Sequence, residues 1–500
     1  MRSVQTQLDP HICDRARLAR DPHFDGRFFI GVTTTGIYCR PICPSPAAKR
    51  LNVRYFASAA AAAEAGFRPC LRCRPETAPG SPAWNGTSTT VSRGLRLISE
   101  GVLDEDSMGT LAARLGVSTR HLHRLFLQHL GAPPIAVAQT RRLHFAKQLI
   151  SDTELPMTQV ALASGFQSLR RFNDIFHKLY GRTPSELRRF DKAASPDTGR
   201  NEYVFRLAYR PPYDWAALLA FLSARATPGV EEVAQGMYRR SIVLKAQHGI
   251  LDVCPVKHVH ALEVRIRFPE PACLLQIVTR VRVMFDLAAV PAVIAQHFRR
   301  DALLGTLVKR YPGLRVPGAW DGFELAVRAV LGQQVTVRGA TTLAGRLAQE
   351  YGEPLTFADG GSLCRTFPTA EKLAHAKLKG MPVSRVRSIQ MLAQAVVAGD
   401  LAFDTSVTDE TFRNQFTSIS GIGDWTAQYV AMRAFNEPDA FPASDLVLLR
   451  AAGLGKTLTP AAMLKRAEAW RPWRAYAAMY LWRSAADLHA RRRKSVKAKR

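Results

Sequence analysis

Five hundred residues give room for roughly three to four domains of ordinary size, and 47% apolar with 22% charged residues is a globular composition. That balance excludes a disordered polyelectrolyte, a collagen-like fibre and a coiled-coil rod, and no run approaches the ~18 apolar residues of a membrane-spanning helix. Lys plus Arg is 69 against 41 Asp plus Glu, a formal charge of +28 that attracts a polyanion. The last ten residues hold seven of those cations, yet about +21 remains without them, so the surplus is spread over the domains. Nucleic acid is the expected partner, and a membrane surface is not. Met1 to Arg20 scatters charges among short apolar stretches, unlike a secretory leader, so a cytoplasmic, nucleoid-associated location is expected.

Two polar stretches, Glu76 to Arg93 and Asp191 to Asn201, read as linkers. The predicted fold class is multidomain. A small α/β zinc domain built on four cysteines spans 1–78, and an all-α double helix-turn-helix domain spans 90–190. A small antiparallel α+β domain at 201–288 precedes an all-α domain at 289–488 and a basic tail at 489–500. The boundary near 289 is marked by no linker.

Five of the eight cysteines precede residue 75. Cys39 and Cys43 form a C-x3-C pair, and Cys70 and Cys73 a C-x2-C pair after 26 intervening residues. Two such pairs joined by a loop supply four thiolates to one tetrahedral ion, and a thin core gains folding energy from the clip. Disulfides are the alternative, which a cytoplasmic location disfavours. Arg40, Lys49, Arg50, Arg54, Arg68, Arg72 and Arg74 crowd the same stretch. They offset the formal −2 of four thiolates on Zn2+ and suit a nearby phosphate.

Asp25-Gly26-Arg27-Phe28-Phe29, Val32 to Pro44 and Ala65 to Pro75 resemble the metal-binding domain of the Ada adaptive-response proteins, over about residues 10–75. The resemblance implies that Cys39, the first cysteine of the first pair, takes a methyl group irreversibly from a DNA methylphosphotriester. It also implies that losing one thiolate charge strengthens promoter binding. The family's second acceptor motif, Pro-Cys-His-Arg, is absent, so repair of O6-methylguanine is not expected.

From Leu111 the sequence reads as helix, turn and helix, and the pattern returns about 50 residues later. Gly116, Phe126 and Gly131 correspond to Gly165, Phe176 and Gly181. Ser118 and Ser168 are candidate caps of the second helix in each copy, which carries Arg120 and Arg124 or Arg170 and Arg171. The segment 92–190, with its ending Gly181-Arg182-Thr183-Pro184-Ser185-Glu186-Leu187-Arg188-Arg189, resembles the AraC-type DNA-binding domain. That implies sequence-specific promoter binding.

Ile419-Ser420-Gly421-Ile422-Gly423-Asp424-Trp425-Thr426-Ala427 opens a helix behind a tight glycine hairpin. Backbone N–H groups at Gly421, Ile422 and Gly423 would grip a phosphate without reading the base. Asp445 lies 22 residues beyond Gly423, and its local sequence equally suits a helix cap. The stretch from Gly421 to Asp445, with Trp470-Arg471-Pro472-Trp473, resembles the helix-hairpin-helix DNA glycosylases, nearest the AlkA-like 3-methyladenine glycosylase II. Ala329 to Val337, Tyr209 to Trp215 and Arg282 to Leu287 extend the resemblance over about 201–485.

The resemblance implies a catalytic carboxylate at Asp445 that stabilises an oxocarbenium-like sugar, after the nucleotide has been flipped out of the stack. Trp425 and Trp473 are the candidate faces for a cationic base, though either ring suits a core equally. Relatives that also cut the strand have lysine where Trp425 stands, so a monofunctional enzyme that leaves an abasic site is implied. Where relatives insert a leucine wedge, this chain has Gln334, which fills space and hydrogen-bonds but offers less apolar area. The expected cofactor is one Zn2+ on Cys39, Cys43, Cys70 and Cys73, with none for the glycosylase. Expected partners are double-stranded DNA, at alkylated lesions and promoter sites, and RNA polymerase; a monomer is expected. The rival reading is a methylation-responsive regulator whose glycosylase half only binds DNA.

Overall fold

The computed structural model describes residues 9–79, 89–190, 201–355, 362–403, 409–453 and 456–497. Half of the first expected linker, 80–88, most of the second, 191–200, and the last three residues of the basic tail lie outside the described residues. No helix among the described residues is long and apolar enough to cross a membrane. The chain forms two compact units. The first takes Met1–Pro211, Leu244–Arg282 and Leu287–Ala289, and the second takes the remainder.

The first unit opens with α1 (Pro10–Leu18), capped by the Asp9 carboxylate, and a sheet of β1 (Phe29–Val32), β2 (Ile37–Cys39), β3 (Val53–Phe56) and β4 (Arg68–Pro69). The strand order is β3-β1-β2-β4, antiparallel except for β2 with β4. Gly36, at φ +64°, turns β1 into β2. Phe29, Tyr38, Phe56 and Phe67 form the core of this sheet with the alanines of α2 (Ala59–Glu64). Buried Cys13 packs with Ala16, Phe28 and Ile30 and takes no part in the cysteine cluster.

Helices α3 (Thr89–Glu100), α4 (Val102–Glu105), α5 (Met108–Arg114), α6 (Thr119–Leu130), α7 (Pro134–Asp152), α8 (Met157–Ala163), α9 (Leu169–Tyr180) and α10 (Pro184–Phe190) follow. The repeat is visible in the backbone. Gly116 and Gly165 take φ of +69° and +78° in the two turns, and Gly131 and Gly181 end α6 and α9 at +71° and +64°. Ser118 and Ser168 cap those helices, accepting from the amides of His121 and Arg171. Phe126 and Phe176 are fully buried, whereas Arg120, Arg124, Arg170 and Arg171 are exposed. Two basic helices are thus presented by equivalent scaffolds.

The sheet with the cysteines packs directly on α7, the helix between the two copies. Ala132 and Ala136 join its apolar core, Ser58 Oγ donates to the Leu130 carbonyl at 2.9 Å, and Arg74 pairs with Asp152 at 2.9 Å. Tyr38, next to Cys39, has its hydroxyl 2.8 Å from His144 Nε2. Desolvation pushes the His144 pKa down to about 4. The unfolded chain takes up that proton near pH ~6.5. The stability contributed by neutral His144 is therefore full above ~6.5 and is lost as the pH falls towards 4, by at most about 3 kcal/mol. Thermal melts of the first unit should lose stability over that window, and His144→Gln should flatten the dependence.

Three antiparallel strands complete this unit: β5 (Glu202–Ala208), β8 (Gln247–Pro255) and β9 (Ala261–Arg267), with β9 in the middle. Phe205 of β5 stacks on Phe145 of α7. Arg210, fully buried just beyond β5, donates to the carbonyls of Asp25 and Ala288 at 2.7 Å and of Pro79 at 3.2 Å. Most of α12 (Leu274–Met284) also lies here.

The second unit holds α11 (Trp215–Ser223), the hairpin of β6 (Glu231–Ala234) and β7 (Met237–Leu244), and then helices throughout. These are α13 (Pro291–Phe298), α14 (Ala302–Arg310), α15 (Gly322–Leu331), α16 (Val337–Tyr351), α17 (Ala370–Ala374) and α18 (Val383–Val397). α19 (Asp409–Thr417), α20 (Asp424–Ala434), α21 (Leu446–Ala452), α22 (Pro460–Ala467) and α23 (Arg474–Lys497) complete the unit. Ile422 of the glycine hairpin is buried in a core with Val330, Leu373, Leu392, Phe416 and Val430. The expected fold class, a small cysteine domain, a helical repeat, a small sheet domain and an all-α domain, stands.

Candidate functional sites

Parallel pairing of β2 with β4 sets Tyr38 beside Pro69, and so Cys39 beside Cys70. A turn closed by the Cys43 amide on the Arg40 carbonyl returns Cys43, and a second turn, Arg74 N–H on the Cys70 carbonyl, returns Cys73. All four Sγ atoms lie within 4.8 Å of one another, and no disulfide joins them. A tetrahedral ion with bonds of ~2.3 Å sets its sulfurs ~3.8 Å apart, so the cluster fits a zinc ion. The thiols contend for protons: hydrogen bonds from Cys39, Cys70 and Cys73 push Cys43 down, while Cys43 is the main cause that pushes Cys39 up.

Cys70 and Cys73 are buried, whereas Cys39 and Cys43 keep partial exposure. The Arg40 amide donates to Cys73 Sγ at 3.3 Å. Its guanidinium turns away to pair with buried Asp25 and to donate to Thr77 Oγ1 at 2.6 Å. Arg40 is therefore a strut under the cluster.

The second site lies at the start of α20 and α21. Gly421, at φ +85°, and Gly423 are exposed, while the Ile422 amide is spent on the Ile419 carbonyl at 3.0 Å. Asp445 caps α21, its Oδ1 accepting from the amides of Val447 and Leu448 at 2.9 and 3.0 Å. Two indoles complete its shell. Trp425 Nε1 donates to Oδ2 at 3.1 Å, and Trp482 Nε1, from α23, donates to Oδ1 at 3.2 Å. Four N–H donors converge on a group that only accepts when ionised.

Trp425 lies flat on Tyr429, one turn along α20, with ring centroids 5.3 Å apart and planes at 6°. Trp482 stands edge-on to Tyr429. Burial would raise the Tyr429 hydroxyl, but the cations Arg433 and Arg225 draw it below the ordinary phenol value, and Arg433 donates to it at 2.7 Å. Trp473 is buried, edge-on to Tyr476. Gln334 is exposed in the turn between α15 and α16, at φ +57°.

The sequence reading did not reach Tyr429 and Trp482. Tyr429 had a signal, being four residues after Trp425 on one helix face. Trp482 had none, because its partner lies 37 residues away on another helix.

A cysteine cluster beside a paired DNA-binding repeat, and a glycosylase-type helical fold, thus share one chain: an Ada-type regulatory module fused to an AlkA-like glycosylase domain. Family models match three stretches of the chain. The metal binding domain of Ada matches residues 12–76, a helix-turn-helix domain 111–189, and the AlkA N-terminal domain 204–321. The chain belongs to the family of bifunctional Ada/AlkA proteins. It is 41% identical over 479 residues to the "probable bifunctional transcriptional activator/DNA repair enzyme AlkA" of Mycobacterium tuberculosis, covering 94% of this chain and 95% of that protein. DNA-3-methyladenine glycosylase 2 of Escherichia coli is 35% identical over 285 residues, 56% of this chain and 96% of that protein. The bifunctional transcriptional activator/DNA repair enzyme Ada of Escherichia coli is 35% identical over 171 residues, 34% of this chain and 47% of that protein.

Proposed function

We propose that the second unit hydrolyses the N-glycosidic bond of alkylated purines of the 3-methyladenine type, as a monofunctional glycosylase. The observation that carries this reading is the Asp445 carboxylate, held by both indole N–H groups beside the Trp425–Tyr429 stack. A purine alkylated at N3 or N7 is cationic and leaves without much acid assistance. The developing charge is on the sugar, where a fixed carboxylate stabilises it and orients the water that adds to C1′. The aromatic stack offers the departing cation a π face. Trp425 stands in the slot where a Schiff-base lysine would be needed to cut the strand. The test is release of free base from a duplex with one alkylated purine. If the purified protein releases none from any such duplex, the chain is better read as a regulator whose glycosylase half only binds DNA.

For the first unit the proposal is methyl acceptance on Cys39, coupled to sequence-specific transcription control through α6 and α9. Cys39, Cys43, Cys70 and Cys73 would hold one Zn2+, which keeps its thiols deprotonated at neutral pH. Cys39, one of the two ligands with exposure, attacks the methyl carbon of a methylphosphotriester. An S–C bond forms, the C–O bond breaks, and the phosphate oxygen leaves as the anion of an ordinary diester. The thiol is not regenerated, so the step is a single turnover. It takes the cluster formally from −2 to −1 beside a polyanion, which favours tighter DNA binding. Peptide mass mapping after exposure to methylated DNA should find one added methyl, about +14 Da, on Cys39; its absence would end the sensor reading. Double-stranded DNA is the partner of both halves, with RNA polymerase a further partner at promoters, and the chain acts as a monomer. Fusion raises the effective concentration of each half on DNA that the other has bound.

A further inference from the structure

The wedge position, Gln334, is held in a left-handed backbone conformation that a glutamine adopts only when its flanks are fixed. Those flanks lead to the glycine hairpin, where Gly421 and Gly423 are exposed and remain the candidate phosphate grip. The Gln333 side-chain amide donates to the Gly421 carbonyl at 2.9 Å and to Thr426 Oγ1 at 3.2 Å. The Gln333 carbonyl accepts from Arg385 of α18 at 2.5 Å. Three residues along the same helix, buried Ser388 donates to the Ser420 carbonyl at 2.7 Å. Gly421 fits closely over that hydroxyl, since a Cβ there would stand 2.2 Å from Ser388 Oγ. The wedge turn, α18 and the hairpin therefore form a closed triangle of hydrogen bonds.

We propose that Gln333, Arg385 and Ser388 are positioning residues for nucleotide flipping: they lock the turn that carries Gln334 to the hairpin, so that wedge insertion and phosphate grip occur as one rigid event. The inference rests on the glycosylase reading for its setting. Flipping needs the vacated stack to be filled while the backbone beside it is held. A wedge on a loose loop would lose the cost of ordering that loop at every encounter, and a pre-set turn avoids it. Half-buried Arg385 meets this network through the Gln333 backbone, and the proposal assigns its effect to the turn that carries Gln334.

The test uses the full chain in a stopped-flow experiment, on a duplex with one 7-methylguanine and a neighbouring 2-aminopurine, whose fluorescence rises when its stack opens. Wild type should give a rise. Arg385→Ala should slow it about tenfold, the size expected for one charge-assisted hydrogen bond, and Arg385→Lys should restore most of the rate by keeping a donor. Gln333→Met, which keeps the volume and removes the amide donors, should slow the rise similarly. It carries the test if Arg385→Ala melts early. Excision from a single-stranded oligonucleotide, which has no stack to open, should fall less than excision from the duplex in both variants. The proposal is overturned if wild type gives no rise, if the Lys variant is as slow as the Ala variant, or if both variants open the duplex at the wild-type rate. Because the fluorescence reports opening and not chemistry, a protein that opens the stack but releases no base would sink the glycosylase reading while leaving the lock standing.

Discussion

Asp445→Asn should abolish base release while leaving the protein folded and bound to DNA. The contrast is clean, because the proposed reading gives Asp445 two jobs that asparagine separates. As the cap of α21 it accepts two backbone amides, and asparagine caps as well as aspartate does. As a carboxylate it supplies the negative charge that a cationic sugar needs, and asparagine supplies none. Losing one pre-organised electrostatic partner typically costs ~3–4 kcal/mol of barrier, roughly a hundred- to a thousandfold in rate. Base release from a duplex with one alkylated purine, measured at saturating protein beside a binding titration, checks the prediction. A variant that releases base at the wild-type rate would remove Asp445 from the chemistry and leave it a cap. Asp445→Ala would confuse the matter by removing cap and charge together.

Cys73→Ser should release the metal and unfold the small sheet. Structural zinc contributes on the order of 10 kcal/mol to small folds, comparable with the whole stability of an ordinary domain. Beyond the cysteines, the segment has two small apolar clusters, one of four aromatic rings with the alanines of α2 and one around Cys13, Ala16, Phe28 and Ile30. The variant should bind less than one zinc per chain by elemental analysis, where wild type binds about one. Its loss should also reach α6 and α7, because the α2 alanines and Arg74 anchor on α7 and Ser58 on the last residue of α6. Equimolar zinc and an unchanged melting temperature in Cys73→Ser would contradict the four-cysteine site.

The repeat of the helix-turn-helix was legible because its signals are local. A glycine in the left-handed region and a serine three residues before the amide it caps recur at nearly constant offset, at Gly116 with Ser118 and at Gly165 with Ser168. The cysteine pairs were legible for a similar reason, since ligand spacing is a property of two short turns. The surroundings of Asp445 were only half so. Trp425 carried a signal through its place after the hairpin, and the structure brings it to Asp445. Trp473 had an equally suggestive sequence neighbourhood and is packed against Tyr476 in the core. Nothing in a sequence says which of several tryptophans meets a distant aspartate, and it was Trp482 that did. The polar linkers likewise gave no hint of Tyr38 with His144 or of Arg210, because a side chain that crosses between segments looks the same in sequence as a solvated one.

The buried guanidinium of Arg210 bears on where this chain could be cut. It answers to carbonyls at Asp25 and Pro79 in the cysteine-bearing segment and at Ala288 in the segment that follows α12. Gly26 faces the same group, with the Arg210 NH2 3.0 Å from where its Cβ would be. Part of the solvation of this buried cation thus comes from backbone of the cysteine-bearing segment. A truncation that began beyond Pro79 would strip those carbonyls from it, and a side chain at position 26 would press against it. The cysteine-bearing segment is in this sense part of the solvent shell of residue 210, and cannot be trimmed away without exposing it.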